Sequence, residues 1–332
     1  MTQPPASSWL TRLTSGQAKQ RLLAFAGLIA LLVVFTVLKP DAFMTQENII
    51  GILQSTTVIG VLAIASTFII ITGGIDLSVG VLMTFCAVMA GIFMVNLGLP
   101  MPLGILGALL MGALSGTVSG LVITRLKVPP FIATLGMMML LKGLSLIITG
   151  TRPIYFSDVA GFDQISLGSL IGDIIPSLPI PNGVLILFLV AVVCAVVLNK
   201  TALGRYTFAL GSNEEAVRLS GVNVNRWKVI VYAFGGGICG IAGLLIASRL
   251  NSAQPALGQG YELDAIAAAV IGGASLSGGV GTILGTIIGA FIISVLTNGL
   301  RIMSVAQEWQ MVLTGLIIIL AVYADNLRRH KA

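Results

Sequence analysis

The chain has 332 residues, 56% of them hydrophobic and 9% charged. Soluble globular domains carry roughly a quarter charged residues, so that class is excluded. The net charge of +6 would suggest nucleic acid in a soluble protein, but basic cytosolic loops account for it in a membrane protein, and no nucleic-acid partner is expected.

Only helices and closed barrels satisfy all their backbone polar groups in lipid. The apolar runs here are continuous and lack the period-two alternation of barrel strands. The expected fold is therefore all-α, a polytopic helical bundle in the lipid bilayer. A window of about 20 residues predicts ten spans, at 22–38, 48–71, 81–98, 103–124, 131–150, 183–199, 229–248, 264–273, 279–297 and 310–323. The eighth is short for a regular crossing. Three regions follow: a cytosolic N-terminal segment (1–21), a transmembrane domain (22–324) and a cytosolic tail (325–332). The first apolar run follows basic residues, as a signal peptide would. No small-residue cleavage site precedes Lys39-Pro40, so it is expected to stay as an anchor.

Orientation follows from Lys and Arg. If ten spans alternate from a cytosolic N-terminus, 13 basic residues lie inside, four (Lys39, Arg152, Arg249, Arg301) lie outside, and Lys142 lies within a span. This asymmetry predicts both termini in the cytosol. The largest outer loop, 151–182, is the place to meet an external partner.

Asp76 is the only acid between Glu47 and Asp158. A carboxylate beside a span is costly unless paired or wet. Two roles stay open for Asp76 with its neighbour Ser78: capping the helix that follows, or contact with a solute. Lys142, in the middle of 131–150, either snorkels or pairs with Asp76. The segment Gly73-Gly74-Ile75-Asp76-Leu77-Ser78-Val79-Gly80-Val81 is echoed by Gly272-Gly273-Ala274-Ser275-Leu276-Ser277-Gly278-Gly279-Val280, at an offset of 199. Paired glycine-broken segments in the two halves of a transporter point towards its path. The span count puts both copies on one side, whereas an inverted repeat needs opposite sides. The small residues Gly112, Gly116 and Gly120 read as close helix packing.

Between two spans, 200–228 carries five Lys/Arg against two Glu. It encodes a short helix at 213–220. Ser212 and Glu215 form a capping box, Glu214 and Glu215 suit the positive end of the dipole, and Gly221 supplies the left-handed stop. Ala216 and Leu219 share a face and Arg218 leaves another. The helix is either a docking knob for something that pushes or a surface helix on lipid headgroups. Further on, Asn251, Gln254, Glu262 and Asp264 form a polar cluster. It suits a polyhydroxylated solute or, equally, an ordered loop held by Pro255.

Enzyme chemistry has little support. The one histidine, His330, is in the basic tail, and the cysteines Cys86, Cys194 and Cys239 lie in apolar runs at unrelated spacings, which argues against a disulfide or metal site. No lysine follows a glycine, so the P-loop is absent and any ATP hydrolysis belongs to another subunit.

ITGGIDLSVG (71–80), PPFIATLGMMMLLKG (129–143), GSNEEAVRLSGVNVN (211–225) and SAQPALGQGYELDAIAAAVIGGASLSGG (252–279) closely resemble the ribose-type permease subunits of bacterial ABC sugar importers. The resemblance covers most of the chain. It implies an inner-membrane permease that pairs with a second, identical copy, sits on two ATP-binding subunits and receives sugar from a periplasmic binding protein. It also implies a ten-span fold of the vitamin-B12-importer kind. The coupling loop of such importers often reads EAAxxxG. Glu215, Ala216 and Gly221 match its first, second and seventh positions, and Val217 replaces the second alanine. Coupling is accordingly assigned to Ser212, Glu214, Glu215, Ala216, Arg218 and Gly221. The path or its polar supports are assigned to Asp76, Ser78, Lys142, Asn251, Gln254, Glu262 and Asp264. The implied solute is a monosaccharide, ribose-like by first choice, and no cofactor is expected in this chain. Few aromatics (6%) agree with a weak internal site, because the external receptor supplies the affinity. The competing readings are a secondary sugar symporter with Asp76 as its ion site, and a non-transporting scaffold.

Overall fold

The structure, a computed structural model, describes residues 16–329. Most of the expected N-terminal segment, and His330, lie outside the described residues. In chain order the elements are α1 (Gly16–Leu38), α2 (Pro40–Phe43), α3 (Gln46–Ile71), α4 (Val79–Gly91, continued by a π-helical turn Ile92–Asn96), α5 (Met101–Arg125), α6 (Pro130–Thr149), β1 (Ile154–Tyr155), a 3-10 turn (Asp163–Ile165) and α7 (Leu170–Ile174). There follow α8 (Asn182–Lys200), α9 (Ala202–Ser212), α10 (Glu214–Leu219), α11 (Val224–Leu250), β2 (Ser252–Ala253), α12 (Tyr261–Ile271), α13 (Ile283–Ile302) and α14 (Gln307–Arg329). Among the described residues seven helices are long and apolar enough to cross a membrane: α3, α4 with its π turn, α5, α6, α8, α11 and α13. Leu22–Leu38 within α1 is a shorter apolar stretch. This is a polytopic helical membrane protein.

The helix ends follow local chemistry. Prolines precede or open α5, α6 and α8, where the missing N–H costs nothing. Thr45, Asn223 and Thr282 cap α3, α11 and α13 through their side chains. Gly150, with φ +58°, closes α6.

The core is built around α3. Residues 56–71 are buried on every side of this helix, as expected of a segment apolar all round, and α11, α12, α13 and α8 surround it. The stripe Gly112, Gly116, Gly120 lies against Gly236, Tyr232 and Val229 of α11, so closely that a methyl on Gly116 would meet the Tyr232 carbonyl. These glycines serve packing, as their spacing suggested. The opposite face of α5 exposes Leu103, Leu106, Leu110 and Leu114. All three cysteines are buried and free. A small antiparallel sheet pairs Ile154 with Ala253 and Tyr155 with Ser252, tying the 151–182 segment to the end of α11.

The glycine echo is visible as backbone geometry. Helix α3 ends with Gly73 N donating to Ile70 O and Gly74 N to Ile69 O; α12 ends with Gly273 N to Val270 O and Ala274 N to Ala269 O. The equivalent left-handed residues are Gly73 (φ +81°) and Gly273 (φ +100°), one position out of the register that the letters suggested. The two copies also touch, because Gly279 N donates to Ile71 O at 2.8 Å. They lie side by side, next to the end of α9.

Candidate functional site: a short capped helix and a polar seam

The helix at 214–219 forms as expected, but its cap is one residue later. Asn213, at φ −161° and ψ 95°, accepts from Ala216 N. Ser212 still belongs to α9, and its hydroxyl turns back to Phe208 O at 2.9 Å, the usual satisfaction of a hydroxyl inside a helix. The Ser212–Glu215 capping box is therefore replaced by an Asn213 cap. Gly221 adopts φ +85° and stops the helix.

Glu214 holds α10 to the bundle. One carboxylate oxygen accepts from Arg218 on the same helix at 2.9 Å, the other from Lys228 of α11 at 2.6 Å. Glu215, Ala216 and Arg218 are exposed, and Leu219 is 82% exposed. The root of this helix is fixed equally tightly. A methyl on Gly211 would run into the Ile71 carbonyl and the Gly279 amide, and one on Gly279 would meet Ser212. The last turn of α9 is thus seated at the junction of both glycine-broken segments. The helix α10 is thereby joined to the end of α3 and to the segment that leads into α13.

The second cluster lies deeper. Asp76 is buried, and its Oδ1 accepts from Ser78 N at 2.7 Å and Ser78 Oγ at 2.6 Å. This is a local side-chain turn just ahead of α4, whose N-cap residue, Ser78, makes no side-chain cap of its own. Thr134 of α6 pins the same segment, donating to Ile75 O and accepting from Leu77 N. Lys142 does not pair with Asp76; its Nζ donates to Gln259 Oε1 at 2.7 Å. The reason is depth. Asp76 is satisfied locally beside Thr134, and Lys142 stands eight residues further along α6, about 12 Å at 1.5 Å per residue, level with the loop before α12.

The 251–264 cluster divides. Asn251 takes a left-handed turn (φ 48°) that ends α11, and its carbonyl accepts from Phe156 N. Glu262 is buried and both its oxygens accept from Gly260 N at 3.0 Å. These two support the loop. Gln254 is exposed and Asp264 half-buried. Where α4 and the α12 loop meet, Gly80 and Gly258 lie backbone to backbone, with no room for a side chain on either. Beside them, the gap bounded by Val81, Thr84, Lys142, Pro255 and Gln259 has no space for a water molecule. The seam is closed. Gln259, Thr134, Lys228, Asn213 and Gly211 were not singled out from the sequence. Gln259 had a signal, as a lone amide between two glycines facing a span that contains a lone lysine.

Several membrane-crossing helices, two broken segments meeting at one end and a bare capped helix rooted between them define a transport permease. Residues 48–322 match the family described as branched-chain amino acid transport system / permease component, and the chain belongs to that family. It is 44% identical over 306 residues to the ribose import permease protein of Haemophilus influenzae, covering 91% of this chain and 92% of that protein. It is 41% identical over 328 residues to the ribose import permease protein of Escherichia coli K12, covering 96% and 99%. The fructose import permease protein of Rhizobium meliloti is 36% identical over 307 residues, 92% of this chain and 85% of that protein. No solved structure matches the chain.

Proposed function

We propose that this chain is the permease subunit of an ATP-driven ABC importer that carries a monosaccharide, ribose-like, across the bacterial inner membrane. The observation that carries the reading is the bare α10 helix, clamped through Glu214 to Lys228 and rooted at Gly211. The sugar permeases among its relatives support a sugar over the amino acids of the family description. The partners are two ATP-binding subunits, a periplasmic sugar-binding protein and a second copy of this chain. Transmembrane residues 22–324 form one ten-span domain of the vitamin-B12-importer kind, and both termini are cytosolic.

The mechanism follows from the contacts. Closure of the ATP-binding subunits displaces α10; the Glu214–Lys228 pair draws α11, and Gly211 presses on the end of α3 and the segment leading into α13. The seam between α4, α6 and the α12 loop then opens by parting Lys142 from Gln259 and Gly80 from Gly258. Asp76, Ser78, Asn251 and Glu262 hold the backbone of these loops; Lys142 closes the seam through Gln259, and Gln254 and Asp264 serve as polar groups along the path. The test is reconstitution. Vesicles holding this chain, its ATPase and the loaded receptor take up labelled ribose on ATP and not labelled leucine. Uptake by the chain alone under a proton or sodium gradient would establish the symporter instead.

A further inference from the structure

Two adjoining hollows open at the α10 end of the bundle, with volumes of about 540 and 570 Å³. They share Thr124, Asn223 and Asn225, so they are neighbouring halves of a cleft divided by these residues, between the end of α5 and the start of α11. Five cations line it: Arg125, Lys127, Arg218, Arg226 and Lys228; Glu214 is the one acid in its wall. Glu214 is already engaged by Arg218 and Lys228, and no described acid lies within ion-pair distance of Arg125, Lys127 or Arg226. Lys127 is held in the left-handed region at φ 55°, an uncommon conformation for a lysine. The 27-residue helix α11 begins in the cleft, and its positive end adds to the same field.

The cleft is also greasy on one side. Leu121, Val229 and Ile230 line the second hollow. Leu121 continues the bare row Leu110, Leu114 and Val118 of α5, and Leu126 stands 69% exposed beside Arg125. A free anion has no use for that wall; an acyl chain does. We infer that this cleft binds the phosphate headgroup of an anionic phospholipid, with its chains along α5. Basic pockets beside spans attract such headgroups. The cleft takes in the Glu214 and Arg218 side of α10, leaving Glu215, Ala216 and Leu219 outside it. The inference does not depend on the identity of the transported solute.

Native mass spectrometry of the purified full chain tests it, with dioctanoyl phosphatidylglycerol, dioctanoyl phosphatidylcholine and inorganic phosphate as probes. Phosphatidylglycerol is expected to bind more tightly than phosphatidylcholine. Arg125→Gln and Arg226→Gln each weaken it about fivefold, and salt weakens it further. Both side chains are exposed, so folding is unaffected; the matching variant Arg152→Gln at the 151–182 segment leaves binding unchanged. Equal affinity for the two lipids, or unchanged binding in both variants, would overturn the inference. Inorganic phosphate that binds alone as tightly would assign the cleft to a free ion. Complete displacement of lipid by the ATPase subunit would assign it to protein docking.

Discussion

Replacing Lys228 with methionine removes the charge that ties α10 to α11 while keeping the aliphatic stem. Glu214 binds two cations of unequal worth. Arg218 is 65% exposed and one turn away on the same helix, so its pair contributes roughly 0.3–0.5 kcal/mol. The Lys228 side chain is only 20% exposed and reaches Glu214 from another helix at 2.6 Å. Because Glu214 itself is 37% exposed, screening limits that pair to about 1 kcal/mol. Hydrogen exchange reads the local opening of α10 directly. The amides of Val217, Ser220 and Val222, which bond within and just after this helix, should exchange about fivefold faster in Lys228→Met, since 1.4 kcal/mol is tenfold. In Arg218→Met the increase is about twofold. The double variant Glu214→Gln/Lys228→Met should open no further than Glu214→Gln alone, because both remove one contact. Additive opening, or equal effects of the Lys228 and Arg218 changes, would refute the clamp.

Gly211→Ala should prevent stable folding or lower the thermal midpoint sharply, because its methyl meets two backbone groups and such overpacking costs about 1–3 kcal/mol or more. Gly221→Ala has open space and loses only the left-handed preference, about 1–2 kcal/mol; detergent melting curves compare the two. Asp76→Asn keeps the acceptor for Ser78, so ATP-driven uptake should persist, whereas Asp76→Leu strands the buried Ser78 hydroxyl and amide at about 1–3 kcal/mol each; loss of ATP-driven uptake in Asp76→Asn with folding intact would favour an ion-site role. Lys142→Met and Gln259→Leu should alter uptake to the same degree, singly and together, with little change in melting. Independent effects on uptake would mean that the two do not act as a pair.

The spans were legible because a long apolar run is a one-dimensional signal. The window placed one at 48–71 and the helix is Gln46–Ile71; the short eighth segment is the short α12. The short helix α10 was legible from its acids, its glycine and its basic surroundings. Its cap was missed by one residue because Ser212 and Asn213 are both good cap residues, and only the backbone angle separates them. The glycine echo was read in letters at one offset and appears in hydrogen bonds at the next, since a helix stop depends on the left-handed residue rather than on the string around it. The Lys142–Gln259 contact joins residues 117 apart in sequence. Nothing local encodes it, and the acid that the sequence offered as a partner, Asp76, proved satisfied by its own neighbour. The sheet pairing 154–155 with 252–253 was invisible for the same reason, with strands too short for any periodicity.

The account turns on α10 as the point where an outside motor grips this bundle. Substituting residues 213–221 with a glycine–serine linker, then measuring ATPase co-purification and ATP-driven ribose uptake beside the melting curve, tests this directly. The expected result is loss of both the ATPase and uptake with the melting of the bundle nearly unchanged. Retained ATPase binding and undiminished uptake would contradict it.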